Sequence, residues 1–187
     1  MKTLNIIQKL FKTGKILSRI AFIFSLIGII GGFVGILCLY IDNGNLIKIG
    51  NITLHGMFIN KYDYRIESII ALLFYWIIIC FGEVILAKLS YIYFDNELKE
   101  NTPFSFLVAK QMFNLGILTI IIPIISTVMG NVVEQLILSL NNVEEIKNTT
   151  YFFNNEISFV LGIMFIFISL LCRYGAEIIE KKYSNYA

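Results

Sequence analysis

The stretch Ile20–Ile41, IAFIFSLIGIIGGFVGILCLYI, holds 22 residues without a single charge. As a helix it is about 33 Å long, enough to cross about 30 Å of bilayer hydrocarbon. Three further apolar runs follow: Ile69–Ala87, interrupted by Glu83, Met112–Met129, and Ile157–Cys172. The last is short, but Tyr174, Gly175 and Ala176 extend it past Arg173, whose long side chain can snorkel to the headgroups.

A soluble domain could also reach 57% hydrophobic content. In a soluble amphipathic helix, however, polar residues recur along one face, whereas here they gather between the runs. The expected fold is therefore an all-α membrane protein. It forms one domain over 1–187, a bundle of four transmembrane helices with spans at about 18–41, 68–90, 108–130 and 156–176. The lipid bilayer is its first partner.

The distribution of basic residues sets the expected orientation. Lys2, Lys9, Lys12, Lys15 and Arg19 precede the first run; Lys88, Lys99 and Lys110 lie around the second connection; Arg173, Lys181 and Lys182 close the chain. These eleven face only four on the other side, Lys48, Lys61, Arg65 and Lys147. By the positive-inside rule both termini and the second connection are expected to be cytoplasmic. A net charge of +2 carries no sign of nucleic-acid binding. A cleaved signal peptide is disfavoured, because the first apolar run is too long for one and no small-x-small site follows Tyr40.

Before the first run, Ile7, Leu10, Phe11, Gly14 and Leu17 recur at helical spacing opposite Lys9, Lys12 and Lys15. Two readings fit: a short amphipathic helix lying on the inner leaflet, or a first helix protruding into the cytoplasm. In the first outer connection, Leu46–Ile49 and Ile52–His55 flank Gly50-Asn51, a pattern that predicts a small β-hairpin. Val132–Leu140 reads as a continuation of the third helix. The second helix reads past the membrane to Asn101. Thr102 then has N-cap chemistry, Pro103 suits a first helical position, and Phe104 begins the next helix.

Within the spans, Gly28, Gly31, Gly32 and Gly35 form two overlapping G-x-x-x-G pairs, which let another helix approach to backbone contact. The partner is a helix of the same chain or, in a homo-oligomer, of a second copy. Pro123 removes a hydrogen bond to the Thr119 carbonyl and should kink the third helix. Glu83 is the one acid inside a span. It is expected to point inward, with Arg173 or Arg19 as counter-charge and Glu177 one turn beyond Arg173, so that the four form a polar network. Tyr91, Tyr93 and Phe94 are expected at the headgroup level, as a surface for a cytoplasmic protein partner.

Cys38, Cys80 and Cys172 fall at different depths, and no disulfide is expected. The lone His55 has no neighbouring His or Cys, so neither metal nor cofactor is expected. No nucleophile–base pair or paired carboxylates point to an enzyme.

Asn101-Thr102-Pro103-Phe104, after a helix with Phe94, Leu98 and Lys99, and Arg173-Tyr174-Gly175-Ala176-Glu177 at the end of a fourth span, resemble a bacterial domain-of-unknown-function family of four-span membrane proteins. Its members often end with a glutamine and acidic residues after the Tyr-Gly-Ala stretch. Ile178, Ile179, Glu180, Lys181 and Lys182 depart from that pattern here. Members are commonly encoded beside small helix-turn-helix regulators, so the resemblance implies a membrane partner of a transcription regulator rather than an enzyme.

Two functional classes follow. One is a regulatory or interaction protein acting through its cytoplasmic face, in envelope stress sensing or in immunity to a membrane-active peptide. The other is a small transporter or channel component that uses Glu83.

Overall fold

A computed structural model describes residues 2–42, 48–49, 52–53, 66–100, 105–141 and 155–184. Four helices dominate: α1 (Lys2–Asp42), α2 (Ile66–Glu100), α3 (Phe106–Leu140) and α4 (Asn155–Ser184). Each is long and apolar enough to cross a membrane. At 41, 35, 35 and 30 residues, they measure about 61, 52, 52 and 45 Å. All four therefore outrun the hydrocarbon layer, by about half a bilayer or more.

The excess length resolves several expectations. α1 is a single helix from Lys2 onward, so its basic N-terminal part continues the first span and is not a separate surface helix. α2 runs past its apolar run to Glu100, and α3 runs to Leu140, through Val132 as expected. The helix also passes through Pro123 without a break, and the Thr119 hydroxyl bonds back to the Leu115 carbonyl at 2.7 Å.

The start of α3 differs from the expected one. Ser105, not Thr102, caps it: the Val108 amide donates to Ser105 Oγ at 3.2 Å, and the Ala109 amide to the Ser105 carbonyl at 3.0 Å. Serine outranks threonine as an N-cap, and here it satisfies the third amide of the helix. Thr102 and Pro103 lie outside the described residues. Between α1 and α2, β1 (Lys48–Ile49) and β2 (Ile52–Thr53) pair antiparallel, Lys48 opposite Thr53 and Ile49 opposite Ile52. The remainder of the expected hairpin, including Gly50-Asn51, is outside the described residues, as is His55.

The chain divides into two compact units. One joins residues 24–82 and 125–151. In it α1 and α2 pack through Leu39, Ile69 and Leu73, and the glycines of α1 set the distance. A Cβ added at Gly32 would lie 2.5 Å from Ile77 Cγ1, and one at Gly28 would lie 2.9 Å from Cys80 Sγ. Gly35 is buried, whereas Gly31 meets nothing within 4 Å. The Gly28–Gly32 pair thus seats Ile77 and Cys80 of the same chain, and Gly31 lies outside the contact. Gly130 of α3 lies equally close to the Tyr75 ring of α2, 2.6 Å from a Cβ position.

The other unit joins residues 1–23, 83–124 and 152–187. Its core is Tyr93, Val108, Met112 and Leu115, flanked by Leu89, Phe94 and Phe165. α3 and α4 touch backbone to backbone. A Cβ added at Gly116 would lie 2.8 Å from the Gly162 carbonyl oxygen, and one at Gly162 would lie 2.7 Å from that of Gly116. Two turns away, the Ser169 hydroxyl donates to the Ala109 carbonyl at 2.8 Å. Lipid offers apolar side chains as good a solvent as a neighbouring helix does. Close packing and interhelical hydrogen bonds of this kind therefore hold membrane helices together.

Candidate functional site

Among the described residues, the densest polar chemistry lies on α2 beyond its apolar run, between Tyr91 and Lys99. Asp95 is eight residues past Ala87, about 12 Å outside the apolar segment. Its carboxylate accepts from Lys15 Nζ of α1 at 2.6 Å and pairs with Lys99 Nζ one turn on at 2.7 Å. Lys15 Nζ also stands 5.2 Å from the centre of the Tyr91 ring. Beside this clasp, Phe11 and Phe94 meet at 6.3 Å between ring centres. Gly14 lets the Phe94 ring approach so closely that a Cβ would lie 2.7 Å from its tip. Phe11, Gly14, Lys15 and Ser18 share one face of α1, and that face is fastened to α2.

The hydrogen bonds from Lys15 and then Lys99 hold the Asp95 carboxyl down, to about 2, and the bond to Asp95 raises Lys15 above its ordinary 10.5. A depressed acid contributes stability above its unfolded value, which is lost as pH falls through the folded one. A raised base contributes below its unfolded value and loses that contribution as pH rises through the folded one. The clasp is therefore expected to be fully made from about pH 4 to 10, and to weaken on acidification toward 2 and on strong alkalinisation. Asp95→Asn should raise amide hydrogen exchange in the first four turns of α1 at neutral pH. Exchange there that matches wild type would show the clasp to be inert. High salt should produce a milder version, because both groups are partly exposed.

On the adjoining face of α2, Tyr93 and Glu97 are both buried, 5% and 3% exposed. The Tyr93 hydroxyl donates to Glu97 Oε1 at 2.7 Å and lies 3.4 Å from Met112 Sδ of α3. Asn96 donates to Gln111 Oε1 at 3.2 Å.

The aromatic residues expected to face a partner are thus drawn inward. Tyr93 is core, Phe94 packs on α1, and Tyr91 lies under Lys15. Of the expected polar network, Arg173 Nε pairs with Glu177 within α4 at 3.4 Å, with Arg173 exposed and Glu177 half-buried. Arg19 is exposed and Glu83 half-buried.

Asp95, Glu97, Gly116 and Gly162 were not singled out from sequence, although each leaves a trace there. The acid-free run of cations before Ile20 calls for a counter-charge. Tyr93 and Glu97 stand i, i+4. Gly116 and Gly162 are lone glycines inside apolar runs, without the spacing that marks a G-x-x-x-G pair.

The three cysteines are free. Among the described residues no group of His, Cys, Asp and Glu converges as a metal site would require. These features define a multi-pass protein with four membrane-crossing helices whose ends are braced beyond the apolar layer. Comparison with protein-family models, with curated proteins and with solved structures finds no match.

Proposed function

We propose that the chain is a regulatory or interaction protein of a bacterial cytoplasmic membrane, with both termini inside, that holds a cytoplasmic protein at the inner ends of its helices. The observation that supports this most is the clasp of α1 on α2. Spanning a bilayer needs neither residues 2–19 of α1 nor the last turns of α2. Yet those segments are helical and joined by an ion-pair triad and an aromatic contact. A rigid projection lowers the ordering cost of binding. The charge bias supports a cytoplasmic position for this projection, which would leave the first connection and the acidic third one outside, available to a stress signal or peptide. The family resemblance points the same way, to a transcription regulator as partner.

A transport role draws support from Glu83, half-buried within the apolar run of α2. One experiment separates the readings. Photo-crosslinkers at Ile92 and Ile178, both exposed on the inner projections, are expected to trap one cytoplasmic protein in cells, while Glu83→Gln leaves that adduct intact. Absence of any inner adduct, together with a proton or ion flux in vesicles that Glu83→Gln abolishes, would replace the interaction reading with transport.

A further inference from the structure

With one face fastened to α2, the inner part of α1 keeps two faces open. Ile6, Leu10, Thr13 and Leu17 follow i, i+4, i+7 and i+11 along one of them. The three aliphatic residues are 58%, 64% and 60% exposed. Thr13 returns its hydroxyl to the Lys9 carbonyl at 3.0 Å, which leaves its methyl group to the stripe. On the neighbouring face Lys9, Lys12 and Arg19 are exposed, and no acid lies among the first 41 residues. An apolar ridge about 16 Å long is therefore flanked by cations.

Three occupants could cover it. Lipid is disfavoured: Ile6 and Leu10 lie about 21 and 15 Å before the apolar run begins, and the clasp to α2 stops α1 from lying down on the leaflet. A second copy in the same membrane runs parallel, so its own Lys9 and Lys12 would be brought against these. An acidic amphipathic helix satisfies both faces at once, its apolar residues on the ridge and its carboxylates on the cations.

Building on the interaction role above, we infer that the Ile6–Leu10–Leu17 ridge of α1 is the docking surface, and that its occupant is an acidic amphipathic helix of a cytoplasmic protein. The test uses the full chain in nanodiscs of zwitterionic lipid. The probe is a labelled synthetic helix with leucine along one stripe and glutamate beside it. It should bind wild type, bind Leu10→Gln/Leu17→Gln and Lys9→Glu/Lys12→Glu each about tenfold more weakly, and lose affinity with added salt. These side chains are exposed, so the variants should keep the wild-type melting temperature.

Equal binding of a scrambled peptide, or variants that bind as wild type does, would overturn the assignment. So would a nitroxide at Leu10 that is reached by oxygen but not by a water-soluble nickel chelate, the signature of lipid cover. If the Ile92 and Ile178 crosslinks survive the ridge substitutions unchanged, the ridge is excluded while the partner reading stands. If no inner position yields an adduct, both fall.

Discussion

Replacing Gly162 with valine should drive α3 and α4 apart and remove most of the folded protein from detergent extracts. A side chain at this position would begin 2.7 Å from the Gly116 carbonyl oxygen, a backbone atom that cannot rotate away, and would also run into Ile120 Cγ1. Relief requires moving a whole helix, which also stretches the Ser169–Ala109 hydrogen bond at 2.8 Å. Overpacking of this kind costs about 3 kcal/mol or more, a large part of a total near 5–15 kcal/mol. Gly116→Val should behave alike. Three glycines of α1 supply a graded control. Gly32→Ala meets Ile77 Cγ1 at 2.5 Å and should destabilise moderately. Gly28→Ala meets the rotatable Cys80 Sγ at 2.9 Å and should be nearly neutral. Gly31→Ala meets nothing within 4 Å and should gain about 0.5–1 kcal/mol from helix propensity. Unfolding titrations in mixed micelles would measure the series. A Gly162→Val protein as stable as Gly31→Ala would show that the backbone contact carries no weight.

That series also shows what the sequence could and could not reveal. Helix number and class follow from run length, because a charge in hydrocarbon is costly whatever its neighbours. The extension of α2 and α3 beyond their runs was legible for a related reason: no glycine or proline stops α2 before Asn101, and the helical pattern continues through Val132. Which glycine matters was not legible. Gly28, Gly31, Gly32 and Gly35 all satisfy the small-residue pattern, but a G-x-x-x-G pair marks a face without saying whether another helix lies on it, and Gly31 faces open space. Conversely, Gly116 and Gly162 make their contact across two helices, so no spacing within either one announces it.

The site on α2 beyond its apolar run is hidden for a different reason. Tyr91, Tyr93 and Phe94 are sequential aromatics near a membrane boundary, a composition equally suited to an interfacial belt and to a core. Burial decides between them, and it depends on α1 being helical from Lys2 and laying Phe11 and Gly14 on Phe94. Glu83 drew attention because an acid within an apolar run is conspicuous. Asp95 and Glu97, in a polar stretch, were not, yet they carry the described ion pair and buried hydrogen bond that join the α2 projection to its neighbours and to itself.

The placement of Tyr93 leads to the second large effect. Tyr93→Phe keeps the ring in the core with Val108, Met112 and Leu115 but removes the hydroxyl that donates to Glu97 Oε1 at 2.7 Å. Leaving a buried carboxyl oxygen without that donor costs about 1–3 kcal/mol. Tyr93→Ala adds a cavity, and the total should reach about 3–5 kcal/mol. Tyr91→Phe, whose ring can still sit beneath Lys15, should cost little. A double-mutant cycle isolates the bond. If the phenol and carboxyl act as a pair, Tyr93→Phe with Glu97→Ala should be less destabilised than the two single effects added, by about 1 kcal/mol. The cycle also discriminates between the two readings of this residue. A tyrosine that serves as a contact for a soluble partner would lose partner binding on conversion to phenylalanine while stability stayed level. A tyrosine that braces α2 against α3 would do the reverse, lowering stability first and affecting any partner only through the disordered projection. Its burial at 5% exposure argues for the second outcome, and an additive cycle with unchanged stability would refute it.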